Sequence, residues 1–212
     1  MTSIKYYAVL IVTLANLKLC TNQVLQFGPC VERATVKFFD VENFLGLWYE
    51  IERFPTWYEG YTQCAYRRFQ ACGRRIEIEH SFVRDNVRFI LHVNSSYAPG
   101  DEAIFKFKKN NLDPIGIPLT VIATDYKTYA VTYGCRNDEN LDIKYISASI
   151  LSREKTLAPE ILEIAYKEVN SLPYASTVYL EPVEHDKEKC SHHWTAHVNA
   201  ENTEEDEYES LC

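Results

Sequence analysis

Beyond its first residues, the chain has no apolar run near the roughly 18 residues that a membrane-spanning helix needs. It has no basic patch either. Lys and Arg number 22 against 30 Asp and Glu, a net charge of −8, so nucleic acid finds no electrostatic footprint. No Cys-x-x-Cys occurs, which removes the usual zinc-ribbon and thioredoxin-type redox motifs. Gly-x-Ser-x-Gly and His-Glu-x-x-His are also missing, so no catalytic signature marks a nucleophile or a metalloprotease site. There is no internal repeat and no sign of a second domain.

What is present begins with a leader. Lys5 precedes an apolar run from Tyr6 to Ala15, which Asn16 and Lys18 interrupt before it is long enough to span a bilayer. Residues 1–22 therefore read as a secretory signal peptide, with a buried N-terminal strand as the bland alternative. Residues 23–190 read as one domain with a substantial core. Residues 191–212 read as an acidic, disordered tail, since 198–212 holds six acids and no base. Losing Cys20 with the leader leaves an even six cysteines: Cys30, Cys64, Cys72, Cys135, Cys190 and Cys212. In a secreted, extracellular chain that count means disulfides first. The sole glycosylation sequon is Asn94-Ser95-Ser96.

From Gly46 to Arg153 short strands alternate with turn formers. The candidate strands are 46–54, 63–72, 75–83, 87–97, 102–109, 117–124, 128–135 and 142–152. Alternation sorts their faces. Ile76, Ile78, His80 and Phe82 oppose Glu77, Glu79 and Ser81; Val87, Phe89, Leu91 and Val93 oppose Arg88, Ile90 and His92; Ala103, Phe105 and Phe107 oppose Lys106 and Lys108. By the same parity Asn94 faces outward beside Val93, near a turn where glycan can be attached. Then the period changes. Pro159 and Glu160 open a helix whose Ile161, Leu162, Ala165 and Val169 form one stripe, and Pro173 ends it. Residues 177–180 offer a ninth strand. Eight evenly spaced strands mean an antiparallel barrel or a sandwich. An immunoglobulin-type sandwich wants a tryptophan between its core cysteines, and none lies between Cys64 and Cys135, which weakens that choice without removing it.

Three stretches carry a resemblance. Gly46-Leu47-Trp48-Tyr49-Glu50 resembles the Gly-x-Trp signature of the lipocalins. Thr124-Asp125-Tyr126-Lys127-Thr128-Tyr129 resembles their second motif, and Ile150-Leu151-Ser152-Arg153 their third. Together and in order they cover roughly residues 23–190, and they are most similar to the apolipoprotein D, Lazarillo and insect bilin-binding group. The resemblance implies an all-β fold, an eight-stranded antiparallel up-and-down barrel with one C-terminal helix packed outside. It implies that Trp48 plugs the closed end with Arg153 across its ring, a contact worth on the order of 1 kcal/mol. It further implies disulfides Cys30–Cys135 and Cys64–Cys190, each closing a long loop worth roughly 4–5 kcal/mol. Cys72 and Cys212 have no counterpart in that pattern; they pair with each other or bond another molecule.

The implied function is extracellular binding and transport of one small hydrophobic ligand, with no catalysis. The candidate apolar wall is Phe69, Ile78, Phe89, Leu91, Phe105, Phe107 and Val121, with His80, Tyr133 and Tyr145 as polar contacts. Arg153 at the closed end fixes Ser147 and Ser149 as inward by parity. Apolipoprotein D-like proteins carry bulky aromatics at those two positions, so two serines make a wider or more polar wall. That suits a bilin such as biliverdin ahead of a fatty acid, retinoid or sterol-like lipid; no other cofactor and no metal are expected. The bland alternative is a fully packed barrel. Among rivals, prostaglandin-isomerising lipocalins use a lumenal cysteine, for which only Cys72 or Cys212 is unassigned. His192, His193 and His197 would make a copper or zinc sink, against the simpler reading of a solvated tail. A Lazarillo-type signalling or lipoprotein-associated protein is the third, with the aromatic 54–61 loop as its contact to a receptor or lipoprotein.

Overall fold

The computed structural model describes residues 23–31, 35–56, 59–73, 75–96, 103–109, 115–138 and 140–199. The expected leader, Cys212, and Trp57 and Tyr58 of the aromatic loop lie outside the described residues. In chain order the elements are β1 (Val24–Phe27), α1 (Val41–Phe44), β2 (Gly46–Arg53), β3 (Gln63–Cys72), β4 (Arg75–Arg84), β5 (Val87–Ser96), β6 (Ile104–Phe105), β7 (Leu119–Thr124), β8 (Tyr129–Asp138), β9 (Ile143–Ser152), α2 (Pro159–Ser171), a 3-10 turn (Thr177–Tyr179), β10 (Glu181–Pro182) and β11 (Trp194–Asn199). None of the described helices is long and apolar enough to cross a membrane.

Local chemistry explains most of these boundaries. β4 and β5 are joined by Asp85 and Asn86 alone, both at positive φ (51° and 60°), the conformation that Asp and Asn tolerate and a two-residue hairpin requires. Asp40 caps α1 by accepting from the Asn43 N–H at 3.1 Å. Pro159 starts α2, Ala165 and Val169 bury its inner stripe, and the helix stops two residues before Pro173.

The pairing order is β11-β5-β4-β3-β2-β9-β8-β7-β6, all antiparallel from β5 to β6, with β9 returning to β2. This is the expected up-and-down barrel wall, rolled until β5 and β6 meet at a seam. Across it the Ser95 hydroxyl donates to the Lys106 carbonyl at 3.1 Å, but no strand ladder forms among the described residues. Four features depart from the sequence expectation. The candidate strand 102–109 contracts to Ile104–Phe105, and its neighbour starts only at Leu119, because Pro118 has no N–H to give a ladder. Residues 177–180 form the 3-10 turn, and pairing passes to β10. β1, unforeseen, takes the edge of β9. The tail from residue 191, expected to be disordered, supplies β11, which lies parallel on β5 from Trp194 opposite Val87 to Asn199 opposite His92.

Of three packed clusters among the described residues, the two larger hold the closed end and the outer wall. At the closed end Phe44, Trp48, Phe69 and Phe105 are fully buried, with ring centroids of 5.0 Å for Phe44–Phe69 and 5.3 Å for Phe69–Phe105. Burying each such ring is worth roughly 2–3 kcal/mol, and each ring pair about 1 more. Outside the wall, Val131, Ile146 and Ile150 meet Ala165, Val169 and Leu172 beneath α2. Disulfides join Cys30 to Cys135 and Cys64 to Cys190, across 105 and 126 residues. Cys72 is disulfide-bonded as well, so it offers no free thiol for the lumenal-cysteine route.

Candidate functional site

The closed end is built around one arginine. Arg153 Cζ lies 3.7 Å from the centre of the Trp48 ring. Its guanidinium also donates to the carbonyls of Leu47 (2.9 Å), Asn43 (2.9 Å) and Tyr126 (3.2 Å), while Trp48 Nε1 donates to Phe44 O at 2.8 Å. Gly46 has φ +98°, and a Cβ there would stand 3.3 Å from Arg153 Nη1. The glycine of the first motif is therefore required twice, by its positive φ and by the arginine of the third motif. In the second motif Asp125 Oδ1 accepts the N–H groups of Lys127, Thr128 and Tyr129 at 2.8–3.0 Å. Burial works to raise its pKa, yet these bonds together with the Thr128 hydroxyl hold it below the usual aspartate value.

Register carries the site upward from that plug. Gly46, Phe69, Ile78 and Val93 form one cross-strand row; Trp48, Arg67, His80 and Leu91 form the next. Cross-strand partners share a face, so Arg67 and His80 point where Phe69 points, into the barrel. A bulge between Glu50 and Glu52 then shifts the parity of β2. In a regular strand residues three apart lie on opposite faces. The extra residue instead puts Glu50 opposite Leu151 and Arg53 opposite Ser149, both inward.

The result is a buried charged cluster. Glu50 takes 2.7 Å contacts from Arg53 Nη1 on one oxygen and from Arg67 Nε on the other. Arg53 Nη2 donates to Glu59 O at 3.0 Å and Thr62 O at 3.3 Å. Glu59 reaches in from the β2–β3 loop, its Oε2 accepting from the Thr56 hydroxyl at 2.6 Å and its Oε1 lying 3.1 Å from His80 Nε2. Burial pushes Glu50 up, but Arg67 and Arg53 outweigh it and hold the carboxyl far below the usual range. Burial pushes His80 down, and with Arg67 and Arg53 it prevails over the pull of Glu59 and Glu50, so the ring is neutral at pH 7. Glu50, Glu59 and His80 bring ligand atoms within 4.8 Å of one another, a donor set of metal type, but both Glu50 oxygens are already held by guanidinium groups.

Above the plug, a cavity of about 100 Å³ opens along the barrel axis. Of the twelve candidate ligand contacts, Ile78, His80, Leu91, Phe107, Ser147, Ser149 and Tyr133 border it. Tyr133 does so while packing its ring in the cluster beneath α2. Phe69, Phe105 and Val121 lie below, in the closed-end core. Phe89 stacks on Phe82 at 5.5 Å beside Val198 of β11, and Tyr145 sits half-buried off the cavity. Asn94 follows Val93, which lines the cavity, and so faces the outer side. Arg53, Glu59, Arg67 and Thr132 line the cavity too, and none of them is among the twelve candidates. Arg67 shares the parity of Phe69, and Glu50 that of Trp48, so alternation held a signal for both. Arg53 was hidden by the bulge, and nothing in the sequence marks Glu59.

Segment 115–118 borders the cavity and crosses β8 at Gly134, where a Cβ would lie 2.2 Å from Pro118 O and 2.7 Å from Ser147 Oγ. The model of the Lipocalin / cytosolic fatty-acid binding protein family matches residues 45–186, which span both the plug and this cavity. The chain belongs to the lipocalin family. Insecticyanin-A of Manduca sexta is 30% identical over 147 residues, 65% of this chain and 75% of that one. The bilin-binding protein of Pieris brassicae is 27% identical over 154 residues, covering 71% and 80%. Apolipoprotein D of Cavia porcellus is 31% identical over 118 residues, covering 55% and 62%. The solved structure of insecticyanin from the tobacco hornworm Manduca sexta superposes with a TM-score of 0.73 at 22% identity, covering 83% of this chain and 96% of that one. Lobster apocrustacyanin A1 gives 0.65 at 18%. The family is one of binding and transport proteins, and this lipocalin sets Arg53, Glu59, Arg67 and His80 on the wall of its cavity.

Proposed function

We propose that this lipocalin is a secreted carrier that holds one small hydrophobic molecule in its barrel, with a bilin such as biliverdin as the leading ligand. The observation that carries the reading is the cavity itself. Ile78, Leu91, Val93, Phe107 and Leu119 give it apolar area, and a few fixed polar groups stand beside them, the usual make-up of a small-molecule site. A fully packed barrel would not leave Ser147 and Ser149 facing open space. The names of the insect relatives support the bilin within that class. Burying ~300 Å² of apolar ligand surface is worth about 7 kcal/mol before the costs of association, enough for micromolar binding. Disulfides spanning most of the chain suit an oxidising, extracellular setting.

Titration of the mature protein with biliverdin, followed by the absorbance of the bound pigment, tests this. Saturation at one equivalent with a Kd in the micromolar range or below is the expected result. Ser149→Trp should weaken biliverdin at least tenfold by filling the wall. No saturable binding of biliverdin, retinoid or fatty acid would overturn the carrier reading.

A further inference from the structure

We infer that the cavity selects an apolar molecule that presents a neutral hydrogen-bond donor, an O–H or N–H, to the barrel wall, over one that presents a carboxylate there; this step rests on the carrier reading. The starting point is a missing donor. Glu59 Oε1 and His80 Nε2 are both buried and 3.1 Å apart, yet neither makes a hydrogen bond of acceptable geometry. Buried polar atoms without partners are rare, and where they line a cavity they mark the place that a ligand or water completes.

The surrounding charges decide which ligand. The cations are already committed: Arg53 spends its donors on Glu50, the Glu59 carbonyl and Thr62, and Arg67 holds Glu50 through Nε. An incoming carboxylate would set acceptors against the Glu59 and Glu50 carboxyls and draw Arg67 off Glu50, leaving that buried charge short of a partner. A divalent cation would sit within reach of two fixed guanidinium groups, one of them 3.8 Å from Glu59 Oε1. A neutral donor does neither. It adds no charge to a cluster of two Glu, two Arg and a neutral histidine, and it gives Glu59 Oε1 the hydrogen bond that this atom lacks. Hydroxyls of Ser147 and Ser149 complete the polar side, able to donate or accept. A bilin would satisfy this rule with its pyrrole N–H groups toward this wall and its own acids away from it, once the cavity of about 100 Å³ widens to admit it.

Retinol and retinoic acid share one polyene and differ in headgroup, so their titration against the mature protein, followed by quenching of tryptophan fluorescence at pH 7.5, isolates the point. Retinol should bind at least tenfold more tightly. Glu59→Gln, close to isosteric, should narrow the ratio to under threefold by improving the acid. His80→Gln, which leaves Glu59 in place, should keep the acid disfavoured and serves if the first variant does not fold. Equal affinities, tighter binding of retinoic acid, or micromolar binding of Zn²⁺ to the ligand-free protein would each overturn the inference. Biliverdin binding without discrimination between the two retinoids overturns this inference alone. Failure of all three ligands overturns the carrier reading beneath it.

Discussion

The two halves of the barrel bury side chains of opposite kinds. The closed end is aromatic: Phe44, Trp48, Phe69 and Phe105 exclude solvent and leave no room, and Arg153 lies across the outside of the plug with its donors satisfied by carbonyls. One register row above Phe69, in the row that Trp48 itself begins, the wall carries Arg67 and His80, joined by Glu50, Arg53 and Glu59, around open space. The lower half holds the fold by hydrophobic burial, which is strong and indifferent to ligand chemistry. The upper half spends stability on desolvated charges that hydrophobic residues of equal volume would match or exceed. On the carrier reading, such a cluster serves recognition more than stability.

The comparison breaks most sharply at Trp48. Trp48→Ala should cost about 4–5 kcal/mol, from the lost ring volume and the lost Arg153 contact, while changing ligand affinity less than threefold. Urea denaturation and ligand titration on the same variant check both halves of that statement. If affinity collapses with stability, the two halves are not separable.

Glu50→Ala should cost about 3 kcal/mol, because it leaves the buried Arg53 and the part-buried Arg67 without their shared carboxylate. The same cluster gives the wild type a pH dependence of defined sign. His80 has its folded pKa depressed below the ordinary 6.5, so its contribution is full above that value and is lost as pH falls. Glu50, depressed below its ordinary 4.5, adds a second loss below that pH. Thermal unfolding from pH 7.5 to 3.5 should show both, and His80→Gln should flatten the upper one. A profile unchanged in that variant would remove His80 from the account.

The smallest effect belongs to the closed-end turn. Asp125→Ala removes the acceptor of three backbone N–H groups and should cost on the order of 1 kcal/mol at pH 7. Asp125 is depressed as well, so the difference from wild type should shrink as pH drops below 3.8 and its carboxylate is protonated. Ligand affinity should not move.

Sequence alternation made the wall legible but not its depth. Parity told correctly that Ile78 shares the face of His80 and Phe105 that of Phe107, since side chains repeat every two residues. Which of them touches open space depends on height along the axis, and that is set by register and by the plug. Parity also fails where the strand is irregular. The bulge at Ile51 turns Arg53 inward against the count, and Pro118 with Gly134 sends segment 115–118 across β8 instead of along a ladder. Glu59 comes from a loop, where no period operates. The tail read as disordered because its end is acidic, yet Trp194–Asn199 alternates enough to dress the free edge of β5.

The division between plug and cavity is most directly tested by amide and methyl chemical shifts recorded while the ligand-free protein is titrated with biliverdin. Large shifts should gather on Ile78, His80, Leu91, Leu119, Thr132, Ser147 and Ser149, with Phe44, Trp48, Phe69 and Phe105 nearly still. Shifts as large around Trp48 and Phe105 as around Ser149, or confined to the outer surface of the barrel, would contradict it.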